Sequence, residues 1–288
     1  MGMEFAMSEM PLALFSTIAP IGAGAFLMLA VACFVGSFSE EVARKIDKLT
    51  AIPVIATVVG FICAFFHLTA PLNAFGVFNN LGSSPMSNEI VMGCVFTVVA
   101  IICWLVLSFA KPSDGLRKGL LCVTAILGLV FCVFVGLAYG MPTIPSWDNV
   151  VVPICTLCYG VLGGGVLGLA VLRQAGIEDL AKTLQTAVMA IVIIGAVGSV
   201  VFFGVHMGMV SGMSNNMMLG GDLVGSLMPM IIIGIILMLV ACVMVVYALK
   251  NGKLTTGYAW CAVVIVAVGI LLARLCFYGV EMSVGLGI

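Results

Sequence analysis

Eight long apolar runs, at about 11–35, 51–69, 89–110, 117–139, 150–172, 183–206, 226–249 and 255–280, account for most of this sequence. Crossing the hydrocarbon of a bilayer takes roughly 20 predominantly apolar residues in a helix, and each run reaches or nearly reaches that length. A backbone in lipid must satisfy its own hydrogen bonds, so each run is predicted to be helical. Composition excludes the soluble alternative. The chain is 63% hydrophobic and 8% charged, whereas a soluble domain carries about 25% charged residues. The sequence therefore predicts an all-α integral membrane protein with eight transmembrane helices, forming one membrane domain over residues 1–288. The first run is not read as a cleaved signal peptide, because Glu4 and Glu9 lead into it and no Lys or Arg does. Pro11, Pro53 and Pro153 lie near predicted helix starts, where a missing N–H is tolerated.

The basic residues orient the bundle. Arg44, Lys45 and Lys48 follow the first run; Lys111, Arg117 and Lys118 follow the third. Arg173 and Lys182 follow the fifth, and Lys250 and Lys253 the seventh. Of the 11 Lys and Arg residues, only Arg274 falls outside these odd-numbered connections. The positive-inside rule puts those connections in the cytoplasm and both termini outside, in a prokaryotic cytoplasmic membrane. The outer connections hold Phe75, Phe78, Trp147, Met209, Met213, Met217 and Met218. Such residues suit either a protein partner or the headgroup layer.

Net charge is −1, which gives no reason to expect nucleic acid. Most of the 11 cysteines lie inside apolar runs and read as small buried hydrophobes. Cys155 and Cys158 form a single C-x-x-C, with no second pair to complete a zinc or cluster site, and read as one helix face. Gly163, Gly164 and Gly165 read as a close-packing stripe.

The ionisable groups at membrane depth gather near the outer face. His67 ends the second run, Glu89 begins the third, His206 ends the sixth, and Arg274 lies deep in the eighth, followed by Tyr278 and Glu281. Charge at such depth usually faces a cavity, a partner or a substrate. Each residue also has a plainer reading: Glu89 as a first-turn carboxylate on a helix dipole, His67 and His206 as satisfied interfacial rings, and Arg274 as a snorkelling cation. A quinol donates two electrons and two protons. It needs an apolar slot, hydrogen bonds to its oxygens and a proton acceptor working near neutral pH, which His and a carboxylate supply. The chain shows no cluster-type cysteine spacing and no dinucleotide loop, so the electrons would pass to a partner.

The segments SEMPLALF at 8–15, HLTAPLNAF at 67–75, SNEI at 87–90, TIPSW at 143–147, GGGVLG at 163–168 and ARLCFYGVEMSVG at 273–285 carry a resemblance to a known family. Along its whole length the chain resembles the membrane anchor subunits of dimethyl sulfoxide reductase, the DmsC family. The resemblance implies an eight-helix anchor that binds an iron–sulfur subunit with ferredoxin-like clusters and a molybdopterin catalytic subunit. It also implies oxidation of menaquinol, with His67 and Glu89 in the family's quinol-binding positions; Arg274 and Tyr278, at the same depth toward the outer face, are weaker candidates. No tightly bound cofactor is expected on this chain. The family often opens His-Glu-Trp-Pro-Leu where this chain has Ser8, Glu9, Met10, Pro11 and Leu12, and it can carry His where Glu281 stands. Two other readings stay open. One is a haem b subunit with His67 and His206 as axial ligands. The other is a transporter, disfavoured by plain apolar helix middles.

Overall fold

The structure, a computed structural model, describes residues 2–67 and 71–284, without the side chains of 71–75. The expected end of the second helix at 69 and the side chain of Phe75 therefore lie outside the described residues. The helices are α1 (Gly2–Ser8), α2 (Met10–Val35), α3 (Glu40–Leu49), α4 (Ala51–Phe65), α5 (Pro85–Phe109), α6 (Asp114–Leu137), α7 (Val151–Gln174), α8 (Lys182–Ser211), α9 (Gly220–Lys250) and α10 (Thr256–Gly279). A 3-10 helix, Pro71–Asn80, lies between α4 and α5. Eight spans are long and apolar enough to cross a membrane, with α3 and α4 together forming the second, Glu40–Phe65. Among the described residues no β-strand forms beyond an isolated bridge between Ser214 and Leu219.

Hydroxyl caps start several of these helices. Ser39, Ser84, Ser113 and Thr255 each accept a hydrogen bond from a backbone N–H three residues on, at 3.3, 3.4, 3.4 and 3.2 Å. Each cap satisfies one of the donors that a helix N-terminus leaves without an intrahelical partner. Cap placement also corrects a sequence expectation. Ser84 starts α5 at Pro85, so Glu89 stands in the second turn and not in the first.

α2 and α7 form the centre of the bundle, and α4, α6, α8 and α10 pack around them. The contact between the two central helices depends on missing side chains. A Cβ on Gly24 would stand 1.9 Å from the Gly160 carbonyl oxygen, and one on Gly164 would stand 2.2 Å from the Gly24 carbonyl carbon. The glycine stripe read from the sequence is thus half of a backbone-to-backbone seam. The other half, at Gly24, lies on α2.

The connections sort to two ends. At the basic end, Arg117 clamps the buried Asp47 through Nε at 3.0 Å to Oδ1 and Nη2 at 2.9 Å to Oδ2, and its Nη1 reaches Asp114 at 2.8 Å. This joins α3 to the start of α6. A cavity of about 290 Å³ lies beside this pair, lined in part by Cys33, Phe38 and Lys118. The opposite end, the histidine end, holds the starts of α2, α5 and α7 and the ends of α4, α6 and α10.

The cysteines depart from expectation. Cys103, Cys132, Cys155 and Cys276 are buried, but Cys94 and Cys261 lie on the outer surface of the bundle, and the remainder are half-buried. In a chain surrounded by lipid, an apolar thiol is as well placed on the surface as in the core, so hydrophobicity alone did not predict which way each points. Cys155 and Cys158 are both free thiols.

Candidate functional site

At the histidine end, Arg274 is the largest side chain to be almost wholly buried, with 2% of its surface exposed. It does not snorkel to the membrane surface. Its Nε donates to Ser16 Oγ at 2.8 Å and its Nη2 to the Tyr278 hydroxyl at 3.1 Å. Ser16 and Tyr278 in turn both donate to the Leu12 carbonyl, at 2.7 and 3.3 Å. The Tyr139 hydroxyl hydrogen-bonds to that of Tyr278. The guanidinium carbon lies 4.3 Å from the centre of the Phe277 ring and 5.4 Å from that of Tyr139. Spacing along the chain explains this assembly. Arg274 and Tyr278 are four apart on α10 and share a face, and Leu12 and Ser16 are four apart on α2. Charge-assisted hydrogen bonds and aromatic faces offset the desolvation of a cation that would otherwise be strongly unfavourable here.

Glu89 supplies the acidic group. It is 6% exposed, and its Oε1 is buried with no hydrogen-bond partner. Arg274 is within electrostatic reach of it. One turn further along α5, Gly93 leaves room for Phe61, whose ring packs 5.2 Å from Phe15 and 5.7 Å from Phe131, centre to centre. The carboxyl therefore sits above an aromatic floor contributed by α2, α4 and α6.

A second layer fixes the backbone around this cluster. Trp147 Nε1 donates to the Phe277 carbonyl at 2.9 Å, and the Trp147 ring stacks on Phe277 at 5.4 Å. His206 Nε2 bonds the Ser146 carbonyl at 2.8 Å, while Ser146 Oγ accepts from the Met282 N–H at 2.8 Å. His206 is thereby a buried structural histidine that ties α8 to the loop before α7. Nearer the surface, His67 Nε2 lies 3.7 Å from Glu9 Oε2. Burial, and then the charge of Glu9, push the Glu281 carboxyl above its ordinary value.

Comparison with known proteins follows the same outline. The family described as DMSO reductase anchor subunit (DmsC) matches residues 3–280. The chain belongs to the DMSO reductase anchor subunit family. The C subunit of the anaerobic dimethyl sulfoxide reductase of Escherichia coli K12 is 30% identical over 284 residues, covering 97% of each sequence. The corresponding C subunit of Haemophilus influenzae is 26% identical over 291 residues, covering 99% of each. The YnfH subunit of an E. coli K12 anaerobic dimethyl sulfoxide reductase is 25% identical over 283 residues, covering 97% of each. Together with the eight spans, this makes the protein a multi-pass membrane anchor.

Within this DmsC-family anchor, the four residues singled out from the sequence do not form one contact cluster. Arg274 and Tyr278 touch directly, Glu89 joins them through electrostatics, and His67 has Glu9 as its ionic partner. Sequence reasoning missed Ser16, Tyr139 and Glu9. A hydroxyl within the first apolar run, seven residues past Glu9 and so on the same helix face, was the available signal for Ser16. Tyr139 lies just beyond α6, and nothing in the spacing of the sequence connects it to Tyr278.

Proposed function

We propose that this anchor oxidises menaquinol at the histidine end and passes the electrons to an iron–sulfur partner subunit docked there. The observation that carries this reading is the buried Glu89 carboxyl. One of its oxygens lacks a hydrogen-bond partner although Arg274 lies within electrostatic reach. A buried acceptor left unsatisfied costs about 1–3 kcal/mol, and a quinol hydroxyl is a donor of the right kind to satisfy it. Oxidation removes two electrons and two protons. Glu89 accepts the hydrogen bond and then the proton from one hydroxyl, and His67 serves the other near the mouth. Arg274 offsets the charge that Glu89 carries before it takes the proton and supplies a donor to a quinol oxygen, with Tyr278 holding the guanidinium in place. Phe15, Phe61 and Phe131 line the apolar floor beneath.

The partners follow from the family. An iron–sulfur subunit with ferredoxin-like clusters takes the electrons, and a molybdopterin subunit reduces the terminal acceptor. The relatives' names point to dimethyl sulfoxide as the class of that acceptor. The basic connections support a cytoplasmic placement for the opposite end. That puts the quinol site and both termini outside a prokaryotic cytoplasmic membrane, with the eight spans acting as one membrane domain. Exposed Phe78, Leu81, Met86 and Met217 at the histidine end provide apolar anchors for the partner. The haem b reading is less favoured, because both Nε2 atoms that an axial pair would present have other partners: Ser146 for His206 and Glu9 for His67.

The test is binding of a fluorescent quinol analogue to membranes carrying the complex. Glu89→Gln and His67→Ala are each expected to weaken binding by about tenfold or more, the effect of losing roughly 1.4 kcal/mol. Wild-type affinity in both variants would overturn the assignment.

A further inference from the structure

Glu9 has no part in the chemistry above, yet three independent features converge on it. Its Oε2 stands 3.7 Å from His67 Nε2, and its side chain is the more enclosed of the two, 16% exposed against 39%. It lies on the same face of α2 as Ser16, seven residues and about two turns away, with Leu12 between them. Those two residues hold Arg274 and Tyr278. Its backbone is fixed by the start of that helix, since the Ala13 N–H donates to the Glu9 carbonyl at 2.9 Å. Glu9 in turn acts on the carboxyl of Glu281, on the segment after α10. That segment is itself tied down by the Met282 N–H bond to Ser146.

We propose that Glu9 is the positioning carboxylate of His67: it fixes the imidazole with its proton on Nε2, presents Nδ1 to the quinol, and stabilises the imidazolium that forms on proton transfer. This rests on the reading of His67 as a quinol base. In the step, the quinol O–H bond breaks and its proton goes to Nδ1, while the electrons leave for the partner's iron–sulfur cluster. Once the quinone has left, the imidazolium loses its Nδ1 proton to water at the mouth, which restores the ring with its proton on Nε2. The Glu9 carboxylate, 3.7 Å from Nε2, keeps its charge throughout, because a carboxylate facing imidazolium orients and stabilises it without becoming protonated. α2 thus connects the mouth of the site to its buried node, with Glu9 holding the outer base and Leu12 and Ser16 holding the inner cation.

The experiment is single-turnover reduction of the partner's iron–sulfur clusters by a reduced menaquinol analogue in membranes carrying the complex, followed by electron paramagnetic resonance, alongside analogue binding. Glu9→Gln is expected to slow cluster reduction by about ten- to a hundredfold while binding stays within about twofold. Glu9→Asp, which keeps the charge, is expected to be slowed less. Adding Glu9→Gln to His67→Gln is expected to slow the reaction no further, since the two act as a unit. A wild-type rate in Glu9→Gln, equal losses of rate and binding in both Glu9 variants, or additive losses in the double variant would each overturn the pairing. If wild-type membranes neither bind the analogue nor pass its electrons, the quinol reading itself fails and the pairing falls with it.

Discussion

Arg274 and Glu89 are buried ionisable residues in an apolar interior, and among the described residues neither lies within ion-pair distance of a group of opposite sign. Truncating Arg274 leaves the buried hydroxyls of Ser16 and Tyr278 without its hydrogen bonds, a loss of about 1–3 kcal/mol. Arg274→Met is therefore expected to lower the unfolding temperature of the purified complex sharply, and Arg274→Lys only partly to restore it. A lysine supplies charge but cannot bond Ser16 and Tyr278 in the same fork. Glu281 makes a prediction of the opposite sign. Its carboxyl titrates higher in the fold than in an unfolded chain, through burial and then Glu9. Such a group binds its proton more tightly in the folded state, so it weakens the fold as pH rises above the ordinary carboxylate range. Glu281→Gln should therefore raise the unfolding temperature at pH 8 and leave it nearly unchanged at pH 4. The ionisable residues were legible from sequence because charge in lipid is unfavourable enough to need a reason. Their partners were not, because Ser16, Tyr139 and the Leu12 carbonyl are ordinary groups that matter only once α2, α6 and α10 are brought together.

The seam between α2 and α7 is the element on which the site's geometry depends, since α2 carries Leu12 and Ser16 and starts directly after Glu9. Gly164→Val would drive a side chain into the Gly24 backbone, and backbone cannot move aside as a flexible side chain can. The variant is expected to accumulate poorly in membranes, whereas valine at Gly208, with nothing within 4 Å, should accumulate normally; quantitative immunoblotting of membranes separates the two. The eight apolar helices were legible, because lipid leaves the backbone little alternative, whereas α1, α3 and the 3-10 helix, read as tail or connections, were not. Helix ends were less so. α8 and α9 run past their apolar stretches to Ser211 and back to Gly220, and α5 starts at a serine cap outside the apolar run. The Gly163–Gly165 stripe was visible in the sequence, but the glycine it meets on α2 was hidden among other small residues.

At the scale of the whole molecule, alternate connections collect at opposite ends of the bundle, and the basic ones share an end. The orientation this supports predicts that alkaline phosphatase fused after Gly279 is active, since that enzyme works only outside the cytoplasm, and that the same fusion after Lys253 is inactive. The reverse pattern would invert the molecule and the proposed quinol site. Eight spans were readable from the apolar runs, and a common end for the termini from the alternation of basic connections. The separation of the site into a buried node and an outer pair was not, because depth along a helix does not say which helices adjoin. The most direct test of the central claim is the rate at which menaquinol reduces the partner's iron–sulfur clusters in wild-type and Glu89→Gln membranes. With the buried carboxyl as proton acceptor, the variant should lose about a hundredfold or more while the assembled complex persists; cluster reduction at the wild-type rate would contradict the account.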